Sequence, residues 1–283
     1  MSGALIIARY ALQEAVRRRV ILVVMFLTIC FLGLYGLGCW VAFDEVTGVA
    51  AGTGVDDRVL TGSTLLGLAM FTILFLGAVL AVFLTLGAVR GDAERGLLQP
   101  LVVRPVGRTS LLLGRFAGAA AVCALYVALV YGAAVVITGA AGDWWPDRGV
   151  GAGLGLVLAV VVIAAISLLG SIFLSSTANG IAVFMLFGAG LAAGLLGQIG
   201  EALSVHTLEN VAKVSSWLLP FEALYQAGLH GLTADTAGLT GVIVKLGPFG
   251  GAQKAGGWLW VWTVAYLALI AAGARAAFAR RDL

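Results

Sequence analysis

Long stretches of this chain carry no charge, and the lengths of those stretches predict its elements. Arg19 precedes 24 uncharged residues, Val20 to Phe43, and Arg58 and Arg90 bracket another 31, Val59 to Val89. Arg115 and Asp143 enclose 27, Arg148 and Glu201 enclose 52, and Lys254 and Arg275 enclose 20. A helix needs about 20 apolar residues to cross roughly 30 Å of hydrocarbon. The stretch of 52 must therefore fold back, and Ser175-Ser176-Thr177-Ala178-Asn179-Gly180 supplies turn chemistry at its middle. Six spans follow, at about 20–42, 62–89, 111–138, 151–174, 181–200 and 257–277.

Composition removes the soluble alternative. Hydrophobic residues make up 61% of the chain and charged residues 11%, against roughly 25% charged in a soluble domain. The 40 glycines come with only 5 prolines and no Gly-x-y period, so they suit close helix packing in lipid rather than collagen or a linker. The expected fold is an all-α polytopic membrane protein. A cleaved signal peptide at residues 1–41 fits poorly: the apolar run is too long, and Trp40-Val41-Ala42-Phe43-Asp44-Glu45 is a poor small-residue cleavage site. Cys30, Cys39 and Cys123 lie in or beside apolar runs without Cys-x-x-Cys spacing, which predicts core packing rather than a disulfide or metal.

Charge then orients the spans. With the N-terminus inside, cytoplasmic segments hold 12 of the 17 basic residues and a net charge of +8, while outside segments carry −5. The positive-inside rule places both termini in the cytoplasm. The pI near 8.9 is explained by these inner arginines and gives no argument for nucleic acid.

Three segments outside the spans carry information. Residues 1–19 read as an interfacial helix, with a stripe of Leu5, Ala8, Leu12, Ala15 and Val16. Glu14 pairs with Arg18 at i,i+4, and Arg17, Arg18 and Arg19 meet anionic lipid headgroups or act simply as a positive-inside anchor. Residues 90–110 are dense in charge yet contain Leu97, Leu98, Leu101, Val102 and Val103, so they predict a short cytoplasmic helix with an apolar side. Pro105 ends it, flanked by Arg104 and Arg108. The alternative is a loop lying on the headgroups. Residues 201–256 form an extracytoplasmic loop with two short helices over the outer mouth. One is striped by Leu208, Val211, Ala212, Ser215 and Leu218, and the other is opened by Pro220 and runs to about Gly228. Trp217, Trp258, Trp260 and Trp262 fit an interfacial aromatic belt.

Missing chemistry narrows the function. No ionisable residue occupies the middle of a predicted span, so the buried proton carrier of a proton-coupled pump is not expected. His206 and His230, the only histidines, match no metal motif. Ser167, Ser171 and Ser175 repeat every four residues, as in helix-to-helix contact. The chain contains no Gly-x-x-x-x-Gly-Lys-Ser/Thr phosphate loop. An energy-supplying partner is the economical inference, and the 90–110 hairpin is the place to receive it.

The block from Gly91 to Arg115 resembles the segment between the second and third spans of ABC-2-type permeases. It is most similar to six-span permeases related to the NosY component of nitrous oxide reductase maturation systems. Gly96, Leu98, Pro105, Val106, Arg108, Leu113 and Gly114 match that pattern, and Glu94 supplies its acid. The arginine-rich start, the tail Arg280-Arg281-Asp282-Leu283 and the segment Leu218-Leu219-Pro220-Phe221-Glu222-Ala223-Leu224-Tyr225 resemble the family too. Leu97, Gly107 and Arg115 depart from its usual Thr, Ser and Lys, and Pro100 is an addition.

The resemblance implies a non-catalytic permease of exporter type in a prokaryotic cell membrane. Its expected partners are two cytoplasmic ABC ATPases, a second permease copy or homologue, and membrane lipids. ATP and Mg would bind on the ATPases, with no cofactor in this chain. The coupling residues would be Glu94, Arg95, Gly96, Leu97, Leu98, Leu101, Val102, Arg104, Pro105 and Arg108. A mechanical transducer in a maturation or signalling complex is the first alternative, and an ion-coupled carrier or scaffold the second. The Gly/Ala-rich spans favour an apolar or amphipathic cargo without specifying it.

Overall fold

The computed structural model describes residues 19–46, 56–86, 108–236, 240 and 256–279. These form helices α1 (Arg19–Val46), α2 (Asp57–Thr85), α3 (Arg108–Gly142), α4 (Gly149–Phe173), α5 (Ser176–Leu203), α6 (His206–Leu218), α7 (Pro220–Leu232) and α8 (Gly257–Ala279). The described residues contain no strand. Helices α1 to α5 and α8 are each long and apolar enough to cross a membrane. The expected all-helical, six-span architecture is what the structure shows.

Several ends differ from expectation, each for a local reason. Helix α2 starts at Asp57 rather than near 62, because Asp56 caps it: Asp56 Oδ1 accepts from the backbone N–H of Arg58 at 3.1 Å and Val59 at 3.3 Å. Helix α3 is 35 residues long, about 52 Å at 1.5 Å per residue, and so outruns a bilayer. The expected six-residue turn at 175–180 is much shorter. Leu174 and Ser175 alone separate α4 from α5, and Asn179 N–H already bonds Ser175 C=O at 2.9 Å.

Helices α2 and α4 form the centre, with 67% and 61% of their apolar windows buried, against 17% for α1 and 11% for α8. The outer pair therefore present apolar side chains such as Leu22, Phe26, Ile29, Val261 and Val264 to the surroundings, which in a bilayer are lipid. Cys39 and Cys123 are buried as expected, but Cys30 is exposed on α1. Hydroxyl contacts fasten α1 to α3: Tyr35 with Thr138 at 2.5 Å and Thr28 with Tyr126 at 2.7 Å. Near the end of the bundle where α2 stops, Thr85 Oγ1 donates to Ser167 Oγ at 2.6 Å. Asn179 Nδ2 donates to Ser167 C=O at 2.9 Å, so three helices meet at one buried polar point. Ser167 thus uses its place in the serine series for helix contact, while Ser171 bonds back to Leu168 C=O of its own helix.

Candidate functional site

Of the segment between α5 and α8, residues 206–232 form a helical hairpin, and its second helix packs into the bundle. Ser204, in the left-handed conformation at φ 54°, reverses the chain after α5. Helix α6 then runs back along α5 through two glycines. A Cβ on Gly200 would lie 2.8 Å from Leu208 Cβ, and one on Gly197 would lie 2.7 Å from Ala212 Cβ. Of the expected stripe, Leu208, Ala212 and Ser215 are partly covered, whereas Val211 and Leu218 are exposed.

The end of α6 is held by α8. Trp262 Nε1 donates to Trp217 C=O at 3.1 Å, and Tyr266 Oη donates to Leu218 C=O at 2.8 Å, which satisfies carbonyls that a helix end leaves open. Tyr266 lies nine residues beyond Gly257, about 13 Å along α8, so the hairpin tip sits well inside the length of the bundle.

Pro220 occupies the first turn of α7, where its missing N–H costs nothing, and the chain climbs back. Phe221, Leu224, Tyr225 and Gly228, spaced i, i+3, i+4 and i+7, are all buried. Phe221 stacks on Phe187 of α5 at 5.8 Å. Leu224 C=O lies against Gly155 of α4, and Gly228 packs on Ala152 and Met70. At the top, Arg148 N–H bonds Gly231 C=O at 3.0 Å and the Arg148 guanidinium pairs with Asp235 at 2.9 Å. Helix α7 is core.

This placement carries one acidic side chain into the interior. Glu222, in the first turn of α7, is 6% exposed. Gln226 hydrogen-bonds its carboxyl group, and Gln198 Nε2 of α5 donates to Gln226 Oε1 at 3.1 Å. Glu222 Oε1 has no partner and sits where a side chain on Gly194 would otherwise be. Burial pushes this carboxyl up to about 7, a rise that the Gln226 hydrogen bond opposes. Glu222, Gln226 and Gln198 line a cavity of about 280 Å3 with Trp217, Trp258 and Trp262. No ionisable residue occupies the middle of a predicted span, with Arg115 and Arg275 near span ends, but the conclusion that no buried carboxylate exists is corrected by Glu222. Its sequence signal was the apolar periodicity after Pro220, which marks a buried helix rather than a loop element.

Among the described residues there is no group of three or more His, Cys, Asp or Glu side chains that could hold a metal ion. His206 is exposed and lies 3.5 Å from Glu209, while His230 is in the last turn of α7. Most residues expected to couple to an ATPase fall outside the described residues: Glu94, Arg95, Gly96, Leu97, Leu98, Leu101, Val102, Arg104 and Pro105. Arg108 is the first residue of α3. Of the expected interfacial anchor, Glu14, Arg17 and Arg18 also fall outside, and Arg19 begins α1.

Six apolar spans with a hairpin packed between them define a multi-pass helical membrane protein. The chain matches the model of the ABC-2 family transporter proteins over residues 5–283 and belongs to that family. It is therefore a membrane permease of the ABC transporter type, a non-catalytic subunit by family. No curated protein matches it.

Proposed function

We propose that this chain is the transmembrane half of an ATP-driven exporter, working with a second permease half and two cytoplasmic ABC ATPases. The single observation that carries this reading is the family match over nearly the whole chain. ATP and Mg bind on the ATPases, and this chain contributes no nucleotide site. The N- and C-termini are cytoplasmic, as the +8 and −5 charge distribution favours. The setting is a prokaryotic cell membrane, and the hairpin α6–α7 then faces the extracytoplasmic side.

Residues 90–110 receive the ATPase. Leu97, Leu98, Leu101 and Val102 are poorly explained by a free loop and suit an apolar cleft, with Glu94, Arg95, Arg104 and Arg108 setting register around it. The length of α3 supports this, since a helix of about 52 Å carries its Arg108 end beyond the hydrocarbon toward such a partner. The cargo is apolar or amphipathic, in keeping with the uncharged interior of the six spans.

Copurification with the ATPase encoded nearest to this chain, followed by an ATPase assay, tests the reading. Hydrolysis is expected only from the complex, in a particle with two permease halves. ATP turnover by the rigorously purified chain alone would contradict it.

A further inference from the structure

The cavity between α5, the α6–α7 hairpin and α8 has a polarity that transport of an apolar cargo does not require. Its floor is Glu222, nine-tenths buried, with Oε1 unpartnered. An acceptor left without a hydrogen bond in a dry site costs free energy that a bound donor or cation recovers. Gln226 holds the carboxyl group from one side and is itself held by Gln198, so the floor is positioned rather than loose. The walls are aromatic. Trp217 and Trp262 meet edge to face at 5.1 Å, and Trp262 is pinned by its bond to Trp217 C=O. Trp258 lines the same space and is 63% exposed. Lys213, on the exposed side of α6, is the basic residue among the described residues of the lining.

A buried acid with an unpartnered oxygen, beside a cavity lined by several indole rings, is an arrangement that attracts an organic cation, through ion pairing with the acid and cation–π contact with the rings. We propose that this cavity binds the ammonium group of an amphiphile, with Glu222 as the counter-ion, Trp217, Trp258 and Trp262 around the cation, and the apolar tail leaving along α8. The shared chemistry is an amine joined to an apolar chain, whether from the headgroup of an amine-bearing lipid or from a free amphiphilic amine. Binding needs no ATP, so failure of this inference leaves the permease assignment intact.

The full chain in nanodiscs of phosphatidylglycerol, titrated with hexyltrimethylammonium and followed by tryptophan fluorescence, tests the site. Hexanol and hexyl sulfate serve as neutral and anionic probes of equal chain length. Saturable binding of the cation is expected, with both other probes at least about tenfold weaker. Glu222→Gln, which keeps the shape and the amide contact, is expected to weaken the cation about tenfold, and Lys213→Gln to strengthen it severalfold. Trp258→Leu, at an exposed position, is expected to lower both affinity and the fluorescence change, and it serves if Glu222→Gln does not fold. Nanodiscs containing phosphatidylethanolamine compete with the probe if lipid is the source and leave it unaffected if a free amine is. Equal binding of hexanol and the cation, or unchanged cation affinity in both Glu222→Gln and Trp258→Leu, would overturn the proposal.

Discussion

Gly155 of α4 and the carbonyl oxygen of Leu224 in α7 are so close that a Cβ at position 155 would lie 2.9 Å from that oxygen. Backbone meets backbone there, and neither side can swing away as a flexible side chain could. The hairpin is therefore seated by the absence of a side chain. In an open helix, Gly→Ala gains about 1 kcal/mol of helix propensity. At 155 the overlap with a carbonyl reverses that sign. Gly155→Ala is expected to destabilise by about 1–3 kcal/mol, as overpacking does. Gly151→Ala, on the same helix with nothing within 4 Å of the new Cβ, is expected to be neutral or stabilising. Thermal melting in one detergent compares them, and equal melting temperatures would sink the close-approach account.

The bond between Tyr266 Oη and Leu218 C=O offers a lighter test of the hairpin tip. Tyr266→Phe removes one hydrogen bond at nearly constant shape, a loss of about 0.5–1.5 kcal/mol. Protease cleavage after Tyr or Trp near 217–225 is expected to quicken in the variant while cleavage elsewhere stays constant. An unchanged pattern would mean that the tip is held without this bond.

Glu222 gives the hairpin a dependence on pH. Its carboxyl is raised from 4.5 to about 7, so between those values the folded chain keeps a proton that the unfolded chain has released. Stability linked to this group is full below about 4.5, falls as pH rises toward about 7 and is flat above it. Melting temperature is expected to drop by a few degrees across that window in the parent and by less in Glu222→Gln. Parallel curves for the two proteins would show that Glu222 does not titrate as described.

Legibility in the sequence followed the strength of the periodic and charge signals. The spans were readable because lipid demands uninterrupted apolar helices and charges stop them. Asp56 and Asp57 hid the start of α2, since acids that look like a boundary were instead a cap and a first turn. The turn at 175–180 looked longer than it is because Ser, Thr and Asn serve helix starts and buried contacts as readily as turns, and Asn179 does the latter through Ser167. The depth of α7 was not readable. Pro220 and the spacing of Phe221, Leu224, Tyr225 and Gly228 revealed a helix with an apolar face. What that face packs on depends on Gly155, Gly190 and Gly194, far away in the chain. Glu222 followed α7 into the interior for the same reason.

Topology is tested by single cysteines in a background without the three native ones. Asp147→Cys and Asp235→Cys sit at the end of the bundle where Arg148 and Asp235 pair, and both are expected to react with an impermeant reagent in intact cells. Asp92→Cys and Arg281→Cys are expected to stay protected until the membrane is opened. Labelling of position 92 from outside would contradict the orientation.

The central claim is that a separate ATPase drives this permease through residues 90–110, and partner-stimulated hydrolysis measured beside copurification tests it most directly. Leu98 and Leu101 fall outside the spans predicted from the sequence, so Leu98→Asp and Leu101→Asp are expected to leave membrane insertion intact. Loss of a buried apolar anchor costs about 2 kcal/mol or more, enough to lower binding by tens of fold. Both variants are expected to lose the ATPase on purification or to retain it with hydrolysis uncoupled from transport. Asp235→Asn, exposed at the other end of the bundle, is expected to copurify and hydrolyse normally. Normal partner binding and coupled transport in both leucine variants would contradict the account and move the docking surface elsewhere on the chain.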